Sequence, residues 1–306
     1  MRSGRLRAAG AALLLALALA GCGVRVETPP PQVPAADAVE QARQAAARTA
    51  DDLHAAARAA REALTGDAAL DDVLRTVETA AEEHRTALGG VWEPWPGAGP
   101  DATAHPGEDA AAPAPTAPAA GPGDVLDLLQ EAAAAAHTDA LAHDGDLGRL
   151  LAALAVSRTY LAQDLGAALG TQAVLLPAAP LPVPDRLDPD TSRALDAARY
   201  ALEVVAARTA GEVRAAAVAR AGHLQEVASA VAPEEDRREV AYDITAAREA
   251  GERDLAALAE LDVVRAYVAL LGTADTGRED VLAAAVHAAG EARRWGATLP
   301  PLPGLS

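Results

Sequence analysis

The sequence contains one cysteine, one methionine, no phenylalanine and no lysine. A single cysteine cannot close an internal disulfide, so the fold has to be held by packing. Three Trp and four Tyr are little material for the aromatic lining that small-molecule pockets usually have. Arginine is the only strong base, and it is outnumbered: 26 Lys+Arg face 44 Asp+Glu, a formal charge of -18. Such a surface repels nucleic acid and anionic lipid, which removes nucleic-acid binding from the functions to consider. The charge is read first as a solubilising surface, ahead of a surface for a specific cationic partner. Alternation of polar and apolar residues, the mark of half-buried strands, is nearly absent as well. What remains is alanine, with leucine and valine. Alanine has the highest helix propensity and loses no side-chain entropy, so the composition predicts an all-α fold of closely packed helices.

The chain starts with Arg2, Arg5 and Arg7, followed by an uncharged run of small and apolar residues from Ala8 to Ala20. This is the layout of an export signal, and it is shorter than the roughly 20 residues that span a bilayer. The run ends in Leu19-Ala20-Gly21-Cys22, which resembles the lipobox of bacterial lipoproteins. In that chemistry the cysteine sulfur takes a diacylglycerol as a thioether, and the peptide bond before it is cut. Residues 1–21 are therefore expected to be a cleaved signal peptide, with Cys22 as the lipidated first residue of the mature chain. The odd cysteine is thereby explained. Two acyl chains, at about 0.8 kcal/mol per buried methylene, give stable attachment to the outer face of the cell membrane. Loss of the three leader arginines, which no acid offsets, changes the charge from -18 to -21.

Residues 22–36 carry Pro29, Pro30, Pro31 and Pro34 and read as a stiff tether of roughly 40 Å. An N-terminal helical section is expected over 37–90 and 124–170. Its helices run from Asp37 to Leu64, from the N-cap Asp67 to Leu88, from the cap Asp124 to about His143, and from Asp146 to Leu169. Between its halves, residues 91–123 lose all periodicity and read as a disordered Pro/Ala-rich linker. Trp92 and Trp95 stand at its start, placed to dock back on the chain's own helices, on sugar or peptidoglycan, or on a partner. A Pro-rich connection follows over 171–190. Residues 191–299 then read as four helices: Pro189 to Ala210, Gly211 to Val231, Ile244 to Leu271, and a last one that ends at Trp295. Thr276 and Glu279 form a capping box for the fourth. Short connections and single apolar stripes argue for an antiparallel four-helix bundle.

The lipobox followed by Gly23 to Pro31 (GVRVETPPP), the section at about 191–299, Ala241-Tyr242-Asp243, and Arg294-Trp295 with Pro303-Gly304-Leu305 together carry a resemblance. The sequence is similar to actinobacterial lipoproteins that end in a ferritin-like four-helix domain of unknown function. The resemblance implies a ferritin-like fold and an envelope address, not an activity.

Ferritin-like metal proteins need inward carboxylates on all four helices and a Glu-x-x-His on two of them. The section has no Glu-x-x-His, and Arg199 and Tyr200 stand where family members tend to carry an acid and a histidine. The remaining donors are Glu203, Glu212, His223, Glu226, Glu249, Glu252, His287 and Glu291. His287 and Glu291 are four apart and share a helix face, whereas His223 and Glu226 are three apart in the reverse order. Glu203, His223, Glu226, Glu252, His287 and Glu291 are thus the candidate ligands for iron or manganese. In so acidic a sequence, such pairs also arise by chance. Glu82-Glu83-His84 and His105 have no second cluster near them. No phosphate loop or nucleophile elbow is present, and no catalytic residue is singled out.

The sequence favours a non-enzymatic, lipid-anchored envelope protein that presents a helical bundle to an envelope protein or cell-wall component. The alternative is a ferritin-like metal protein with Glu203, His223, Glu252 and His287 turned inward. A third reading is a carrier of a small apolar ligand held in a gap between helices.

Overall fold

The computed structural model describes residues 36–92, 121–245, 251–274 and 277–305. Cys22 with its leader, nearly all of the tether, and most of the 91–123 linker with Trp95 and His105 lie outside the described residues. So do Glu249 and Thr276.

Eight α-helices and no β-strand occur among the described residues. Helix α1 (Ala38–Ala63) starts at Asp37, whose carboxylate accepts from the Glu40 N–H at 2.8 Å. Helix α2 (Ala68–Ala87) starts in the same way, with Asp67 accepting from Leu70 N–H at 3.0 Å. Each carboxylate satisfies an N–H group that the helix leaves without a partner. Helix α3 (Pro122–Ala142) begins earlier than Asp124 suggests. Pro122 needs no N–H partner at the first helical position, and Asp124 reaches back from the first turn to accept from Gly121 N–H at 2.7 Å. Helix α4 (Gly145–Ala168) starts after Asp144, which leaves Asp146 in its first turn.

Helix α5 (Pro189–Arg208) is capped by Asp188, which accepts from the Asp190 and Thr191 N–H groups. Helix α6 (Gly211–Ala228) follows at once. Helix α7 (Glu252–Leu271) begins later than Ile244, because residues 236–244 run as a loop tied to α5 and Gly251 takes φ +117, outside the helical region. Helix α8 (Arg278–Trp295) closes the set. No helix among the described residues is long and apolar enough to cross a membrane.

The helices α1 with α2 and α3 with α4 form hairpins, and α1 on α3 and α2 on α4 close a first bundle. In the second bundle α5 packs on α6 and α7, and α7 packs on α8. Helix α4 joins the two, since it also touches α7 and α8 and is buried on nearly every face. Apolar side chains of both sections form one continuous cluster that runs from Ala46 to Trp295. The two sections are therefore a single body within Ala36–Ser306. A second cluster around Leu53, Leu74, Leu129 and Leu165 fills the remainder of the first bundle.

A buried alanine contributes only about 0.8 kcal/mol per carbon, so these interfaces depend on close backbone approach. At the α4–α8 contact the Tyr160 hydroxyl donates to the Val286 carbonyl at 2.7 Å, and a Cβ on Gly290 would lie 2.6 Å from the same hydroxyl. After α8, Gly296 (φ +107) turns the chain. Residues 297–305 form a strap, with Leu299 and Leu302 packed on the core. Gly304 (φ +86) sits so near α7 that an added Cβ would be 2.9 Å from Val268.

Candidate functional site

Two polar centres are built into the body. The first lies in the second bundle, where the metal ligands were expected. Glu203, Glu226 and Glu252 lie exposed on the outer surface, and Glu203 pairs with Arg199 at 2.6 Å. His223 and His287 are half-buried. Glu291 is mostly buried and pairs with Arg294 at 2.9 Å. Of the six candidates, His223 and Glu291 lie near enough to His287 for their charges to act on it, Glu226 acts on His223 alone, and Arg220, a residue not on that roster, acts on both histidines. Arg220 of α6 grips Glu260 of α7 through two bonds, Nε to Oε1 at 2.8 Å and Nη2 to Oε2 at 2.9 Å. Both side chains are inside, at 8% and 0% exposure.

Burial pushes the Glu260 carboxyl up, and Arg220 pulls it back. The fork of two charge-assisted bonds is what opposes the rise. Burial lowers His223 and His287, and the Arg220 charge lowers both further. His223 Nε2 is buried with no partner among the described residues, and so is the Tyr267 hydroxyl, which burial pushes up to about 12. The residues do not fit iron or manganese well. Three of the expected carboxylates are on the outside, and the two acids at the centre are already paired with guanidinium groups, Glu260 with Arg220 and Glu291 with Arg294. Among the described residues no three His, Cys, Asp or Glu side chains gather as a metal-holding group.

The motifs that carried the resemblance have structural work here. The Tyr242 hydroxyl donates to Asp196 of α5 at 2.9 Å and accepts from Glu239 N–H at 3.0 Å. Asp243 accepts from Thr245 N–H at 2.9 Å. Arg199 pairs with the buried Asp196 at 2.7 Å. Trp295 is buried in the core, while Trp92 is 52% exposed and its backbone N–H donates to Gln44 at 3.0 Å.

The second centre is where α2, α4 and the strap meet. His84 of α2 continues the stripe Leu70, Leu74, Val77, Ala81 and is 1% exposed. Its Nε2 is 2.8 Å from the Pro301 carbonyl and 3.2 Å from Ser157 Oγ. A carbonyl oxygen only accepts, so the ring proton is on Nε2 and the Ser157 oxygen lies on the donor side of the ring. Burial, followed by the nearby Arg158 charge, pushes His84 down to about 3. Arg158 is itself 1% exposed, and its Nη1 donates to the Ala132 carbonyl at 3.1 Å. Its Nε and Nη2 have no partner among the described residues. Burial lowers it to about 10, so it stays charged at neutral pH.

Ser157 forms the floor of an open cleft of about 740 Å³. Thr76, Thr79 and Ala80 line it from α2, Leu161 and Asp164 from α4, and Thr298 to Pro301 from the strap. Its charges are already matched. Arg75 pairs with Asp72 at 2.7 Å, and Arg293 holds Asp164 in a two-pronged pair with one arm at 2.9 Å. The Arg293 guanidinium also lies over the Tyr160 ring, 5.0 Å from its centroid. A serine beside a histidine suggests a nucleophile with its base. Here the nitrogen facing Ser157 carries the proton, and Nδ1 has no carboxylate to orient it and no partner among the described residues. The arrangement presents hydrogen-bonding groups and lacks an available base. Sequence reading missed this centre because His84, Ser157 and Pro301 are far apart in the chain; a polar residue on a buried stripe was the one signal. Comparison with family models, with curated proteins and with solved structures returned no match.

Proposed function

We propose that the protein is a lipid-anchored, non-catalytic binding protein of the cell envelope, which offers the cleft between α2, α4 and the strap to another envelope component. The observation that carries this reading is the Ser157–His84–Pro301 arrangement on the cleft floor: a buried polar group with no base available to it. Charges paired in advance and walls from three rigid parts of one body suit recognition, since little has to be ordered on binding. Attachment rests on the Ala8 to Ala20 run and on Cys22, through a diacylglycerol thioether. The tether of residues 22–36 sets the body off from a membrane surface that its acidic charge disfavours.

The test has two parts. The wild-type chain, made in a lipoprotein-processing host and fed a clickable fatty acid, is expected to take up label and partition into detergent, and Cys22→Ser is not. A photo-crosslinker at exposed Thr79 is expected to capture an envelope component that one placed at Glu226, on the outer face of α6, does not. Equal capture at both positions, or turnover of ester or amide substrates that is lost in Ser157→Ala, overturns the reading.

A further inference from the structure

We infer that the ligand of this cleft is a short uncharged saccharide, an inference that rests on the binding role proposed above. The first ground is electrostatic. Arg75 is paired with Asp72 and Arg293 with Asp164, so a charged ligand must break a pair or be desolvated without a partner of its own. A neutral ligand avoids both costs. A paired carboxylate still has lone pairs and a paired guanidinium still has N–H groups. Vicinal hydroxyls satisfy both, one donating to the acid while its neighbour accepts from the base.

The second ground is the pattern of the remaining groups. His84 Nε2–H points toward Pro301 and Ser157 Oγ, which leaves the Ser157 O–H without an acceptor among the described residues; Ser157 is 4% exposed and lines the cleft. Thr79 and Thr298 line it too, and neither hydroxyl has a partner among the described residues. The Thr298 and Leu299 N–H groups are likewise unpaired there. Between these polar groups lie Ala80, Leu161 and the rings of Pro300 and Pro301. A sugar ring matches this alternation, with C–H faces against the prolines and hydroxyl edges against Ser and Thr. A cavity of about 740 Å³ falls within the range of small-ligand sites.

A peptide is the less suitable occupant. An extended peptide would have to pair with the strap, and Pro300 and Pro301 have no N–H, so such a ladder stops at Leu299.

The test uses the full chain carrying Cys22→Ser, with chitotetraose and maltotetraose as uncharged glycan probes and amidated, acetylated tetra-alanine as the peptide control. Saturation-transfer NMR is expected to detect a glycan, and calorimetry to give a millimolar or tighter dissociation constant. Ser157→Ala and the exposed Thr79→Val should each weaken it by about threefold to tenfold, the loss of one hydrogen bond. Arg214→Ala on exposed α6 should change nothing. No transfer to either glycan at about 10 mM, or binding indifferent to both substitutions, overturns the inference. If the Thr79 crosslinker still captures an envelope component, the saccharide fails and the binding role stands. If it captures nothing specific, both fail.

Discussion

His84 Nε2 donates to the carbonyl of Pro301 across 2.8 Å, a bond that spans 217 residues of sequence. It joins α2 of the first bundle to the strap that closes over the second, inside a region where the ring is neutral.

That neutrality makes the fold sensitive to acid. In the unfolded chain a histidine titrates near 6.5, and in the fold burial and Arg158 hold His84 at about 3. The folded value is depressed, so the unfolded chain binds the proton first. The contribution is intact above about pH 6.5 and is lost progressively as pH falls from there toward 3. At pH 5, about 1.5 below the unfolded value and still above the folded one, the loss is about 2 kcal/mol. His84→Gln keeps a donor for Pro301 and cannot charge. Urea midpoints at pH 7.5 and 5.0 should therefore fall further in the wild type than in this variant; equal losses would show that the ring titrates freely in the fold.

Arg158 is expected to be a cost to stability. Its guanidinium is in the core with one bond to a carbonyl and no carboxylate partner among the described residues. Replacing buried charge with well-packed apolar volume is often neutral or stabilising by about 1–4 kcal/mol. Arg158→Met should accordingly raise the urea midpoint and also move the His84 titration upward, since a neighbouring positive charge is gone. NMR titration of the His84 ring reads the second effect. A large loss of stability would show that Arg158 makes a contact beyond Ala132.

Arg220 and Glu260 predict the opposite sign. Each is buried, and each is the other's two-pronged partner. Removing one leaves an uncompensated charge, so Glu260→Gln should destabilise by about 3–5 kcal/mol. The double variant Arg220→Met with Glu260→Leu should recover most of that loss. Chemical denaturation of the wild type and these two variants measures the loss and its recovery. The same pair underlies an expectation for iron and manganese: after loading and desalting, the protein should retain neither at stoichiometric level. Retention that is lost in His223→Ala or His287→Ala would reverse it.

The helices were legible because alanine leaves the chain few alternatives, and Asp67 is the N-cap its side chain suggests. The errors are local and physical. Pro122 starts α3 ahead of Asp124, and Gly251 delays α7 beyond Ile244. That one core would run through both sections was not legible, because α4 reads as one more amphipathic helix until α7 and α8 are laid against it. The cleft was less legible still. His84, Ser157 and Pro301 belong to three separate segments, and no spacing rule connects them. Arg158 and Glu260 did show a signal, as charges inside otherwise apolar runs, but composition made charges on helices look ordinary.

Gly304 tests whether the strap matters to binding and not only to stability. Its φ of +86 is a conformation that a side chain disfavours, and a Cβ there would stand 2.9 Å from Val268 and 3.2 Å from the Val264 carbonyl. Strain of both kinds falls on a short segment, so Gly304→Ala should cost about 1–3 kcal/mol and loosen the strap without touching Ser157, Thr79 or either ion pair. Hydrogen exchange should rise at Leu305, whose N–H donates to the Leu302 carbonyl at 3.1 Å within the strap. If the cleft binds as proposed, affinity should fall together with that protection, because the strap's part of the wall is no longer ordered in advance. Faster exchange with unchanged affinity would move the binding surface off the strap and onto α2 and α4 alone.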